Sequence, residues 1–269
     1  MNETLVCPNC ETVYEGNFCP NCGQKTIHGR YTLHGLVSEV FHSTFHVEKK
    51  GLPYTVKELT LRPGIAIKKV IDGQRLSLYP PFKYLVLIGA IIVILSLRYR
   101  FFHNEELTSA GAETYSIGIL QENKDFFDAF FQFGEDKATL LNLVAIPIFS
   151  VFSYLFFMSS GYNYAENLIM NTFITAQQLL FLLILVPFIE FLPGTKHILI
   201  PAYTAIVVLY NIWAYVQFYG SNKTSVYFRS IIAVVTSYLY QFPVNLLVYY
   251  LVSHYISPHF HWIPEIDLP

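Results

Sequence analysis

"LIMNTFITAQQLLFLLILVPFIEFL", residues 168 to 192, carries a single formal charge, Glu190. About 20 helical residues at about 1.5 Å each cross the hydrocarbon core of a bilayer, so this run is long enough to span one. Four other runs read the same way: Phe82 to Phe102, Leu140 to Met158, Ile198 to Phe218 and Val226 to Ser253. Across all 269 residues the chain is 53% hydrophobic and 17% aromatic but only 13% charged. Soluble domains are about 25% charged, so the expected fold is an all-α polytopic membrane protein with about five transmembrane helices. Around that bundle, residues 82–257, the sequence places a cysteine-rich head at 1–28, a basic amphipathic segment at 29–81 and a short tail at 258–269.

Orientation follows from the placement of lysine and arginine. Lys25, Arg30, Lys49, Lys50, Lys57, Arg62, Lys68, Lys69, Arg75 and Lys83 precede or open the first run, whereas the loop after it is rich in Glu and Asp. No basic n-region with an apolar stretch follows Met1, and no lipid-attachment box is present. The reading is a bacterial inner-membrane protein with its amino terminus in the cytoplasm. Arg98 and Arg100 end the first run and are placed to snorkel to headgroups.

The head repeats Cys-Pro-Asn-Cys: Cys7 with Cys10, then Cys19 with Cys22. Two Cys-x-x-Cys turns supply four thiolates, the closed tetrahedral set of a structural Zn2+ site. Two disulfides or a redox dithiol are the alternatives. All four cysteines precede residue 23, in the part assigned to the reducing side, which argues against a disulfide framework. "ETVYEGNF" between the pairs reads as strand, turn and strand, and Gly23 suits a turn with positive φ. A unit this small needs metal to fold. With Lys25 and Arg30 the only basic residues among the first 30, against Glu3, Glu11 and Glu15, the head lacks a nucleic-acid footprint.

In the next segment Leu33, Leu36, Val37, Val40, Phe41 and Phe45 recur at helical spacing. This predicts an amphipathic helix on the inner membrane surface. Glu39, His42 and His46 fall together on its polar side, where they could hold a second metal or be simply a solvated face. A further turn of helix is expected through "YTVKELTL", and another from Pro63 to Gly73. The lysines of these helices suit anionic lipid headgroups.

The stretch "FHSTFHVEKKGLPYTVKELTLRPGIAIKKVIDGQRLSLYPPFKYLVLIGA", residues 41 to 90, follows a Cys-Pro-x-Cys-Gly knuckle. It resembles the bacterial membrane family known as domain of unknown function 3667. The shared pattern is Thr55 to Leu59, Arg62-Pro63-Gly64, Gly73 to Arg75, and Pro81 with Phe82; "YNYAENLIMNTFITAQQ" and "VQFYGSNK" are similar to its later motifs. The resemblance implies a membrane protein with a zinc-ribbon head and implies no activity. That family often has Glu-His where this chain has Glu166-Asn167, so a role resting on that imidazole does not carry over. In topology alone the chain is similar to Yip1-type membrane proteins.

Inside the bundle, Asn163, Asn167, Asn171, Thr175 and Gln178 form one stripe on the third run, and Ser237, Gln241 and Asn245 another on the fifth. Such groups must find partners in hydrocarbon, so they are expected to point inward. They serve either as interhelical glue or, with Glu166, as an intramembrane polar pocket. No phosphate loop, Gly-x-Ser-x-Gly elbow or His-Glu-x-x-His is present. Two functions are therefore weighed. The first is a non-enzymatic scaffold, held among membrane lipids and docking a cytoplasmic protein partner through its zinc head. The second is a small transporter or lipid-handling protein using Glu166, Asn167, Asn171, Gln178, Gln241 and Asn245.

Overall fold

A computed structural model of the chain describes residues 4–26, 29–36, 51–99, 130, 133, 138–192, 195–220, 224–252 and 254. Glu39, His42 and His46, the acidic loop and the 258–269 tail lie outside the described residues.

Among the described residues, two short strands, β1 (Leu5–Val6) and β2 (Val13–Tyr14), precede seven α-helices of the bundle. These are α1 (Gly51–Leu61), α2 (Pro63–Ile71), α3 (Pro81–Tyr99), α4 (Ala138–Phe156), α5 (Tyr164–Phe191), α6 (Lys196–Tyr219) and α7 (Thr224–Leu251). Three of them contain a stretch long and apolar enough to cross a membrane: Tyr164–Phe188, Ile198–Tyr219 and Thr224–Leu251. Pro81–Leu95 and Leu141–Phe156 are shorter apolar helices among the described residues, so three candidate spans stand where the sequence predicts about five.

The run that opens the sequence reading forms the middle of the structure. α5 packs against α3, α4 and α6, while α7 lies on α4 and α6. Ile169, Met170, Phe173, Ile174 and Ala176 of α5 are all buried. α4 with α5, α5 with α6 and α6 with α7 each pack against one another. The outer face of α7 is the reverse of a soluble helix. Phe228, Ile231, Val235, Leu239 and Phe242 are exposed at helical spacing, a surface suited to lipid.

α1 and α2 are each two-sided. Their outward sides carry exposed Lys57, Lys68 and Lys69, but their apolar sides are buried in the bundle through Leu59, Ala66, Ile67 and Val70. At the elbow between them, Gln177 donates to Thr60 Oγ1 at 2.8 Å and the Tyr210 hydroxyl donates to the Leu59 carbonyl at 2.8 Å. Gln177 is more than three turns into α5, about 20 Å from its first residue. The elbow is thus inserted alongside α5 and α6.

Gly64 makes that insertion possible. A Cβ placed there would lie 2.3 Å from Phe218 N and 2.4 Å from Ala214 O, so the backbones of α2 and α6 touch. The Gly64 N–H donates to Gln217 Oε1 at 3.2 Å. Pro63, as the sequence predicts, opens α2 at its first turn. Asp72 and Gly73 (φ 112°) close it, with N–H groups bonded back to Lys68 and Val70 carbonyls.

Candidate metal centre and its seat on the bundle

The two Cys-Pro-Asn-Cys turns have the same backbone construction. Glu11 N–H donates to Cys7 O, and Gly23 N–H to Cys19 O, both at 2.8 Å. One residue later, Cys7 N–H donates to Thr12 O at 3.0 Å and Cys19 N–H to Gln24 O at 2.8 Å. Each turn reverses the chain, so the segments flanking it run side by side. β1 pairs with β2 across the first turn (Leu5 opposite Tyr14, Val6 opposite Val13); Phe18 pairs with Lys25 across the second. This corrects the expected hairpin within "ETVYEGNF", whose halves each pair outward. The residue closing each knuckle has positive φ, Gly23 at 79° as expected and Glu11 at 60°. Glu11 holds a backbone conformation that a side chain disfavours.

The knuckles bring Cys7, Cys10, Cys19 and Cys22 together, with their Sγ atoms all within 4.8 Å of one another. Cys7 and Cys22 lie 3.5 Å apart, as do Cys10 and Cys19. All four are free thiols. A tetrahedral ion with metal–sulfur bonds of about 2.3 Å has edges of about 3.8 Å, so four thiolates at this spacing can hold one metal ion. Without metal, burial pushes the Cys7 thiol up to about 12, while hydrogen bonds from Thr12 draw Cys10 down to about 6. Bound metal takes the place of the proton that the buried Cys7 thiol otherwise retains.

The head is fastened to one end of the bundle. Buried Gln24, next after the second knuckle, donates from Nε2 to the Gly73 carbonyl at 2.8 Å. Arg30 donates from Nε to Glu166 Oε1 at 2.8 Å, pairs through its terminal nitrogen with Glu166 Oε2, and bonds the Gly161 carbonyl at 2.7 Å. Arg75 lies over the Tyr31 ring, 4.0 Å from its centroid, and Asn163 Nδ2 donates to the Tyr31 carbonyl at 2.9 Å.

Of the six residues read as a possible polar pocket, the structure uses three in identifiable ways. Glu166 is buried and caps α5: its carboxylate accepts from Asn163 N–H at 2.9 Å while Asn163 Oδ1 accepts from Glu166 N–H at 2.9 Å. An Asn-x-x-Glu ahead of an apolar run is a legible cap signal, although the sequence reading placed Asn163 in the polar stripe. Asn167 accepts from the Tyr219 hydroxyl. Asn171 accepts from Tyr215 at 2.7 Å and donates toward Ser153 at 3.1 Å and Ser150 at 3.3 Å. Its amide thereby joins α5 to α6 and α4.

Gln178, Gln241 and Asn245 form no hydrogen bond to that network among the described residues. Gln178 Nε2 and Asn245 Oδ1 are buried without partners. The neighbouring Gln177, which the sequence reading passed over, is fully buried and bridges Thr60 of α1 and Tyr84 of α3, whose hydroxyl donates to it at 2.6 Å. Only the tertiary packing distinguishes these adjacent glutamines.

Asn171→Leu is expected to leave the Tyr215 hydroxyl unpaired and cost about 1–3 kcal/mol. Adding Tyr215→Phe should recover part of that loss. Thermal unfolding of the single and double variants checks it, and fully additive losses would show that the two side chains do not cooperate.

Against protein-family models, curated proteins and solved structures, the chain has no match.

Proposed function

We propose that this chain is a non-enzymatic integral protein of the bacterial inner membrane, belonging with the domain of unknown function 3667 proteins. Its cytoplasmic head, ordered by one structural zinc, docks a protein partner at the membrane surface. The observation that carries the reading is the closed four-thiolate cluster held against the bundle by the Gln24–Gly73 and Arg30–Glu166 contacts. Four cysteine ligands leave no open coordination position, which favours a structural over a catalytic ion. Five crossings remain the proposed topology. The length of α3 and α4, 19 residues each, supports it.

Docking is supported by the surface of the head. Val6, Val13 and Phe18 are each more than 60% exposed on a module of some two dozen residues. Large apolar groups held outward by a rigid scaffold suit an apolar segment of a partner. The transporter or lipid-handling reading has less behind it, since Glu166, Asn167 and Asn171 are engaged by protein groups.

Affinity purification from crosslinked cells tests the proposal, comparing the native chain with a Val13→Asp/Phe18→Ser variant. A zinc-loaded variant should lose one or more partners that the native chain retains. An unchanged set of partners counts against docking through this surface.

A further inference from the structure

Between the head and the end of the bundle is a cleft of about 630 Å³, within the range of about 300–1,000 Å³ typical of small-ligand sites. One wall is the head, with Leu5, Val6, Pro8 and Tyr14. The other is the end of α2 and the turn entering α5, with Ile71 to Gly73, Arg75 and Ser160 to Tyr162. Arg30 and Glu166 also line it, but they neutralise each other.

Two further charges face the same space. Arg75 and Asp72 both line the cleft, yet among the described residues the ion pairs are Arg30–Glu166 and Arg62–Glu58. Among the described residues, neither Arg75 nor Asp72 forms an ion pair within 4 Å. The Tyr31 ring holds the Arg75 guanidinium by its face, and among the described residues no hydrogen bond engages its terminal nitrogens, which are left to bond a ligand in the cleft. A guanidinium edge is shaped for phosphate. Asp72 would repel a plain anion and attract an ammonium.

We infer that the cleft binds a small zwitterionic head bearing both a phosphate and an ammonium, the phosphate on Arg75 and the ammonium facing Asp72. A phosphoethanolamine headgroup has this chemistry, either on a phospholipid or free in solution. The cleft adjoins the first residues of α5, the level at which a lipid headgroup would meet the protein. Apolar Leu5, Val6 and Ile71 on its walls suit the glycerol and upper acyl carbons. This site meets the polar residues of α5 only at Glu166, which Arg30 neutralises, and it requires no protein partner.

The test is native mass spectrometry of the full zinc-loaded chain in detergent, titrated separately with dihexanoylphosphatidylethanolamine, O-phosphoethanolamine and dihexanoylphosphatidylglycerol. The expected result is a one-to-one adduct with the first, bound at least about tenfold more tightly than the phosphatidylglycerol. Equal binding of free O-phosphoethanolamine would identify a soluble source; a need for the glycerol and acyl carbons would identify the lipid. Asp72→Asn and Arg75→Gln should each weaken the ethanolamine adduct by about tenfold or more. Should Arg75→Gln unseat the head, seen as lost zinc or a lowered thermal midpoint, Asp72→Asn decides. No adduct with either ethanolamine compound, equal affinity for phosphatidylglycerol, or native affinity in the Asp72→Asn variant overturns the inference.

Discussion

Replacing Gly64 with alanine is expected to push α2 off α6 and destabilise the protein by about 3 kcal/mol. The added Cβ would meet backbone, Phe218 N at 2.3 Å and Ala214 O at 2.4 Å, and not the yielding end of a side chain. Only movement of a whole helix relieves such a contact, and that movement would break the Gly64–Gln217 hydrogen bond and strain the bonds at the elbow. Alanine's better helix propensity, about 1 kcal/mol, opposes the loss without cancelling it. Gly89 in α3 is the internal control. A Cβ there meets nothing within 4 Å, so Gly89→Ala should be neutral or stabilising by up to about 1 kcal/mol. Thermal midpoints of the two detergent-solubilised variants, followed by tryptophan fluorescence, make the comparison. Equal midpoints would show that the α2–α6 contact does not have the closeness described.

The second large effect is expected at the metal. Cys19→Ser removes one thiolate from a buried cluster, and bound metal should fall from about one ion per chain to nearly none. Structural zinc contributes about 10–16 kcal/mol in finger peptides, far beyond what the few apolar groups of the head supply. Among the described residues, Tyr14 is the buried aromatic packed with the cysteines. The head should lose its knuckle hydrogen bonds, and with them the placement of Gln24 on Gly73. Elemental analysis and limited proteolysis report the two consequences: lost metal, and new cleavage within the first 30 residues while the helices stay protected. Native metal content in this variant would refute a four-cysteine site.

Both predictions bear on how the head communicates with the bundle. The α2 helix that needs Gly64 at its start presents Gly73 to the head just beyond its end. Glu166 performs two tasks at once, capping α5 and anchoring Arg30. Since the Arg30 side chain is 57% exposed, its pairing adds little stability by itself. Its value is positional, because it fixes the chain leaving the head at the start of the central helix.

Much of this was legible in residues alone. Repeated Cys-x-x-Cys specifies four sulfurs on two turns whatever surrounds them, because the knuckle closes through local backbone bonds within five residues. Apolar runs longer than the bilayer is thick specify helices, since no other open structure satisfies the backbone in hydrocarbon. Pro63 and Gly73 likewise mark the limits of α2 through their own dihedral preferences. These features rest on interactions between residues close in the chain.

The tertiary structure alone decided which surface each apolar face meets. An amphipathic stretch such as 51–71 buries its apolar side against lipid or against protein with the same periodicity, and only the fit of Gly64 against α6 selects protein. Gln177 and Gln178 are identical in sequence terms, yet one turns toward Thr60 and Tyr84 while the other has a buried, unpartnered amide nitrogen. Asn163 and Glu166 became an anchorage for the head because residue 30 and residue 166 were brought together by packing. Local spacing determines elements and ligand sets, whereas contacts between distant segments depend on shape and on which polar groups remain to be satisfied, and these exist only once the helices have packed.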